Sequence, residues 1–241
     1  MHSMIEEIYR TAAVEGQSGR VHSLHSSLDP EEGKFLTELI AHDLSIRRTL
    51  EIGCAFGLSA LFICDAIAGR EDASHKAIDP FQFTQWDGVG AQNVKRAGFN
   101  FFSLILDKSE LALPALLREG EGCYDLILLD GFHTFDQTLL DCFYATRLLR
   151  VGGYLVIDDL IMPAVRRAVR YVQNYSCFTS AGRVAEPLRL TPRRRIGRLL
   201  LSPIPDRIKQ SIFAISVQDK LYQNATIRML AFKKIAEDDR P

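Results

Sequence analysis

A chain of 241 residues with 47% hydrophobic and 24% charged residues can bury a sizeable core, which argues against a disordered tail or fibre and for one soluble globular domain with elaborations. Its formal net charge of -1 leaves no global field to favour nucleic acid or an acidic membrane surface, so any such partner needs a local patch. The five cysteines (Cys54, Cys64, Cys123, Cys142, Cys177) form no CxxC pair and are odd in number, a pattern that fits reduced thiols in a cytoplasm rather than a disulfide framework.

The chain begins MHSMIEEIYR, without the basic and apolar regions of a signal peptide. Met4 to Ala13 reads as a short helix. After a polar Ser/His stretch a second helix starts near Asp29-Pro30-Glu31-Glu32, where acidic residues suit a helix N-terminus. The most apolar stretch, LEIGCAFGLSALFICDAIAG, carries Glu51 and Asp65 and several glycines, and so reads as strand, turn and helix rather than a membrane span. From RTLEIG onward short apolar runs alternate with helical patterns. SALFICDAIAG is followed by HKAID, a helix reaching Arg96, FNFFSLIL and LALPALLRE. Then come YDLILLDG, a helix of period 3.6 through Phe135, Leu139, Leu140 and Phe143, GGYLVIDD and a helix opened by Pro163. This alternation implies an α/β fold with a doubly wound, mostly parallel sheet and helices on both faces. ATIRMLAFKKI reads as an antiparallel closing strand. Before it lies a basic amphipathic insertion at about 189–222, suited to a helical elaboration, a homodimer contact, cover for a site or peripheral membrane contact.

Ligands of open α/β sheets bind beyond the carboxyl ends of the strands, and here those ends are acidic: Glu51, Asp79, Asp130 and the pair Asp158-Asp159. A single such carboxylate is as well read as a cap for the next helix. Four in succession make a rim. The first turn, Glu51-Ile52-Gly53-Cys54-Ala55-Phe56-Gly57, has glycines placed for close backbone approach. It lacks the GxGxxG of nicotinamide sites, whose later glycines would fall at Ala55 and Leu58, and no GxxxxGK[ST] loop is present.

LEIGCAFGLSALFI resembles the S-adenosylmethionine-binding motif of class I methyltransferases, over about Glu32 to Val172. EEGKFLTELI, IDPFQ, LLDGFHTFDQTLLD and VGGYLVIDDL resemble the small-molecule O-methyltransferase branch related to catechol and sugar methyltransferases. The resemblance implies a Rossmann-like methyltransferase domain over 49–241 behind N-terminal helices, 1–48, that cover the active site. It implies a cofactor site at Glu51, Gly53, Cys54, Ala55, Gly57 and Asp79, with the ribose on Asp79 and the adenine near Asp107 or Ser109, and Asp130 at its edge. Gln82 and Trp86 would line the adenine or acceptor pocket. Three converging carboxylates, Asp130, Asp158 and Asp159, would repel one another unless a cation neutralised them, and all-oxygen ligation suits Mg2+ or another divalent cation. Metal-dependent relatives commonly carry asparagine where this chain has Asp159. His133, three residues beyond Asp130, is placed to accept a proton from a small-molecule hydroxyl acceptor. The expected reaction is metal-assisted O-methylation, with metal-independent transfer using His133 as base, or a non-catalytic cofactor-binding scaffold, as alternatives. No DPPY-like or NPPY-like tetrapeptide suggests a nucleic-acid substrate.

Overall fold

The structure is a computed structural model that describes residues 1–25, 28–120, 123–187, 203 and 225–240. In chain order the elements are α1 (Ser3–Thr11), β1 (Ala13–Glu15), β2 (Val21–Ser23), α2 (Pro30–His42), β3 (Arg48–Ile52), α3 (Leu58–Ile67), β4 (Ser74–Ile78) and α4 (Val89–Arg96). There follow β5 (Phe102–Ile105), α5 (Ser109–Arg118), β6 (Tyr124–Leu129), α6 (Phe135–Leu148), β7 (Leu149–Ile157), α7 (Pro163–Val172), β8 (Phe178–Pro187) and β9 (Ala225–Lys234).

Seven strands form one sheet in the order β5-β4-β3-β6-β7-β9-β8. The first five of these pair in parallel, and β9 runs antiparallel to both β7 and β8. The strand order reverses between β3 and β6, so the loops leaving these two strands part and open a crevice at the carboxyl edge. β6 is buried at all six positions and its alternation divides the core. Leu126 and Leu128 face one layer with Leu36, Ile40 and Leu61, while Ile127 and Leu129 face the other with Leu113, Ala145 and Val169. Ile5 and Ile8 of α1 belong to the first of these layers and share its core. Among the described residues no helix is long and apolar enough to cross a membrane. All five cysteines are free thiols, and only Cys123 is exposed.

Three strands depart from the sequence reading. β1 and β2 pair as a small separate hairpin within the polar Ser/His stretch. β8 continues the sheet beyond β9, so the expected closing strand is internal and β8 is the edge. The basic insertion at about 189–222 lies outside the described residues, apart from residue 203.

The candidate active site at the carboxyl edge

Each strand that borders the crevice hands its backbone ladder to the next residue beyond its neighbour's end. Gly53 N–H donates to Ile78 O and Asp130 N–H to Ile52 O (both 2.9 Å), while Asp158 N–H donates to Leu129 O (3.0 Å). The loops after β3, β4, β6 and β7 are thereby held side by side around a cavity of about 460 Å³. Its lining includes Gly53, Ala55, Asp79, Phe81, Trp86, Lys108 and Ser109 at one end. At the other stand Glu32, Asp130, Phe132, His133, Asp158, Asp159, Ile161, Met162 and Arg228.

The first end is built around Asp79. Its Oδ2 accepts from Cys54 N (3.2 Å), Ala55 N (2.9 Å) and Gln82 Nε2 (3.2 Å), and its Oδ1 accepts from Phe81 N (2.8 Å). A nearly buried carboxylate is affordable here because loop amides satisfy it. Gly53 has φ +90°, and a Cβ there would collide with the Asp130 carbonyl oxygen, so the turn after β3 can lie against the loop after β6 only with glycine. Gly57 also has a positive φ and caps α3 directly against the backbone of Gly90. Ser109 opens α5, and its hydroxyl accepts from Gln137 Nε2 (2.8 Å) beside the buried Asp141.

Not every expected cofactor residue reaches the cavity. Glu51 is fully buried behind the turn, on the opposite sheet face from Leu50 and Ile52, with Oε1 3.4 Å from His75 Nε2 and, among the described residues, no aligned hydrogen bond to either carboxylate oxygen. Cys54 contributes its backbone, and burial, with Glu51 and Asp79 nearby, pushes its thiol well above the usual range. Asp107 is exposed, accepts from Lys108 N (2.8 Å) and is absent from the lining, whereas Ser109 is present. Gln82 is buried and ties Ala55 O to the β4 loop, and Trp86 does line the cavity.

At the other end the side chains converge. Nε2 of His133 lies 2.9 Å from Asp159 Oδ2 and 3.6 Å from Asp130 Oδ1, and one ligand atom from each of the three lies within 4.8 Å of the others. Asp159 takes a left-handed φ of +55°, and its N–H donates to Asp158 Oδ1 (2.8 Å). Asp158 lines the cavity but stands outside the three-residue cluster. The facing carboxylates of Asp130 and Asp159 push the His133 imidazole up to about 10. Burial, opposed by His133, pushes Asp130 up to about 6, and burial with Asp130 and Glu32 nearby raises Asp158 well above the carboxylate range.

Two residues of this end escape the strand-end pattern. Glu32 occupies the third position of α2 in a capping box with Asp29, its Oε2 accepting from Asp29 N (2.9 Å). Its Oε1 lies 2.9 Å from Arg228 Nε, and Arg228 also approaches Asp29 and Glu186 (both 3.2 Å). The D-x-x-E spacing announces the capping box, and the single Arg within ATIRMLAF is the only sequence sign that β9 sends a charge toward the sheet's edge.

A family profile described as a methyltransferase domain matches residues 50–160. The chain is 29% identical over 140 residues to a catechol O-methyltransferase from Niastella koreensis, an alignment covering 56% of this chain and 58% of the relative. It therefore spans less than two thirds of that relative's length. Among solved structures it is similar to an O-methyltransferase from Bacillus cereus in complex with S-adenosylhomocysteine, with TM-score 0.65 and 14% identity over 97% of this chain and 92% of the other. A second is an S-adenosylhomocysteine-bound methyltransferase from Podospora anserina, with TM-score 0.61 and 15% identity over 97% and 88% of the two chains. A third is an O-methyltransferase of tomaymycin synthesis from Streptomyces achromogenes in complex with S-adenosylmethionine, with TM-score 0.58 and 20% identity over 67% and 75%. Residues 50–160 thus match a methyltransferase domain, and the chain has the Rossmann-like fold of these methyltransferase structures.

Proposed function

We propose that the protein transfers a methyl group from S-adenosylmethionine to a hydroxyl of a small molecule, with a divalent cation held at the acceptor end. The observation that carries this reading is that one cavity joins the Gly53–Ala55–Asp79–Ser109 cradle to the convergent side chains of Asp130, His133 and Asp159. The cradle fits the cofactor because the β3 turn exposes backbone where any side chain at Gly53 would intrude. Asp79 fixes that turn, and its carboxylate also stands at the position suited to vicinal ribose hydroxyls. Ser109 closes the end expected for the adenine.

The acceptor end fits a cation because two carboxylates and a solvent-shielded imidazole nitrogen with no aligned hydrogen bond face one another. Asp130 and Asp159, with Asp158 beside them, would hold the ion, which when bound lowers the pKa of an acceptor hydroxyl and fixes its place. Phe132, Ile161 and Met162 give this end an apolar lip that excludes water from the flanks of the acceptor. The protein's principal contribution is alignment of acceptor oxygen, methyl carbon and sulfur for direct displacement. With both carboxylates facing it, His133 serves the acceptor end together with them rather than alone as base. A vicinal diol, as in the catechol of the named relative, is the acceptor class this arrangement suits. Reduced thiols in a cytoplasm, and a homodimer, belong to the same reading.

Calorimetry with S-adenosylhomocysteine tests the core of the proposal. Binding is expected in the wild-type chain and a loss of at least about ten-fold in Asp79→Ala. A well-folded wild-type protein that binds no S-adenosylhomocysteine would overturn it.

A further inference from the structure

We propose that Asp87 is a positioning residue for the cofactor end of the cavity: it latches the β1–β2 hairpin to the loop after β4, and the latched hairpin holds Trp86 in place as a wall against the ligand. The inference rests on the methyltransferase reading only for the identity of that ligand. None of the described lining residues comes from the hairpin, so its effect passes through the loop.

The latch is built from both sides. Gln17 N–H donates to the Asp87 carbonyl (2.8 Å), Ser18 N–H to Asp87 Oδ1 (3.2 Å) and the Ser18 hydroxyl to Asp87 Oδ2, which also faces His22 Nε2 at 3.2 Å. Three hairpin residues thus converge on one loop residue. Glycines allow the approach, since a Cβ at Gly16 would collide with Asp87 Oδ2 and one at Gly88 with the Gln17 side chain. Asp87 and Gly88 are both left-handed, with φ of +49° and +67°, a turn that aspartate and glycine accept and most residues resist.

From Asp87 the restraint runs to both neighbours. On one side Trp86 packs edge-on against Phe56 of the cofactor turn, and His25, just beyond β2, closes the group with its ring 5.0 Å from that of Phe56 and 5.9 Å from that of Trp86. On the other, Gly88 N–H donates to Gln82 O (2.7 Å), and the Gln82 amide donates to Ala55 O (3.0 Å) and Asp79 Oδ2 (3.2 Å). The hairpin has little core of its own, because Val14 is the only buried residue of its two strands, and so small a ribbon depends on what it is tied to. Without the latch Trp86 loses a restraint, and only a fraction of molecules presents the wall that the ligand meets. Apparent affinity falls by that fraction.

The test uses the full chain and two readouts, calorimetry with S-adenosylhomocysteine and acrylamide quenching of Trp86, the single tryptophan. Ser18→Ala combined with His22→Ala removes the latch from the hairpin side and leaves the loop's own sequence intact. It should weaken S-adenosylhomocysteine binding at least about five-fold, the mark of a competent fraction cut to about one fifth. It should also raise the quenching of Trp86 without ligand, with the difference from wild type shrinking at saturating ligand. Asp87→Asn keeps the left-handed turn and an acceptor for Ser18, and should stay within about three-fold of wild type in affinity. A hairpin that serves folding alone would lower the unfolding midpoint of the double variant and leave affinity and quenching at wild-type values, a result that would overturn the inference. A wild-type chain that binds no S-adenosylhomocysteine would remove the methyltransferase reading instead. Increased quenching in the double variant would then still support the latch, and unchanged quenching would overturn it.

Discussion

Gly53 and Asp141 show how differently single residues serve this cavity. At Gly53 the backbone conformation and the space are both closed to a side chain, because φ is +90° and the Asp130 carbonyl occupies the place of a Cβ. Gly53→Ala should therefore cost about 3 kcal/mol or more in unfolding free energy, by denaturant titration, and remove cofactor binding as well. Asp141 sits behind the cavity wall at α6, where burial pushes its carboxyl from 3.8 up to about 6, with Ser109 and Gln137 opposing. Between those values the folded protein holds a proton that the unfolded chain has released, so stability falls as pH rises from about 4 through 6 and stays lower above. Asp141→Asn keeps an acceptor for Gln137 and Ser109 but cannot ionise. It should be more stable than wild type by about 2–3 kcal/mol at pH 8, and the difference should vanish below about pH 4 in unfolding curves taken across that range.

The strand-end carboxylates were readable because each follows a run of apolar residues that can only be a buried strand. Which way each side chain points was harder to read. Glu51 lies one residue before the end of β3, and a strand's two-residue period sends it to the face opposite Leu50 and Ile52, against His75. Of the consecutive pair only Asp159 joins Asp130 and His133, and no spacing reveals its left-handed φ.

At the scale of elements, α2 and β9 are far apart in sequence and meet through Arg228, which faces Glu32, Asp29 and Glu186. Glu32 is nearly buried, and burial already raises its carboxyl above the usual range. Arg228→Met should destabilise by about 3 kcal/mol, since it strands that carboxylate. Adding Glu32→Gln to Arg228→Met should recover a measurable part of the loss. A double-mutant cycle in which the two costs simply add would contradict the coupling. β8 was illegible because FTSAGRVAEP lacks an alternating apolar pattern. As an edge strand it answers only to β9, and its register shifts at Ser180/Gly182 and Val184/Ala185 break the two-residue period further. The β1–β2 hairpin was hidden for a related reason. Each strand has only three residues, and the hairpin is held to the β4 loop largely by polar contacts with Asp87, from the Ser18 hydroxyl and His22 (3.2 Å).

For the whole molecule, the single tryptophan is placed as an internal reporter. Trp86 lines the cavity beside Phe81 and packs edge-on against Phe56, 5.1 Å between centroids. Titration with S-adenosylhomocysteine should change its fluorescence with the same affinity that calorimetry returns. Ligand at about a hundred times its Kd should raise the unfolding free energy by about 2.7 kcal/mol. Unchanged emission alongside measurable heat would place the ligand elsewhere.

The pairing of β8 with β9 carries one more consequence. Pro187 lies directly opposite Ala225, so the chain leaves the sheet and re-enters it at neighbouring rungs of one ladder. Whatever is inserted there is topologically a hairpin connection, and residues 188–224 can be exchanged for a short turn without moving a rung. Closing a shorter loop is entropically cheaper by about 2 kcal/mol. The sheet should thus tolerate this position as a cassette, where one connecting segment can be exchanged for another while β8 and β9 keep their register.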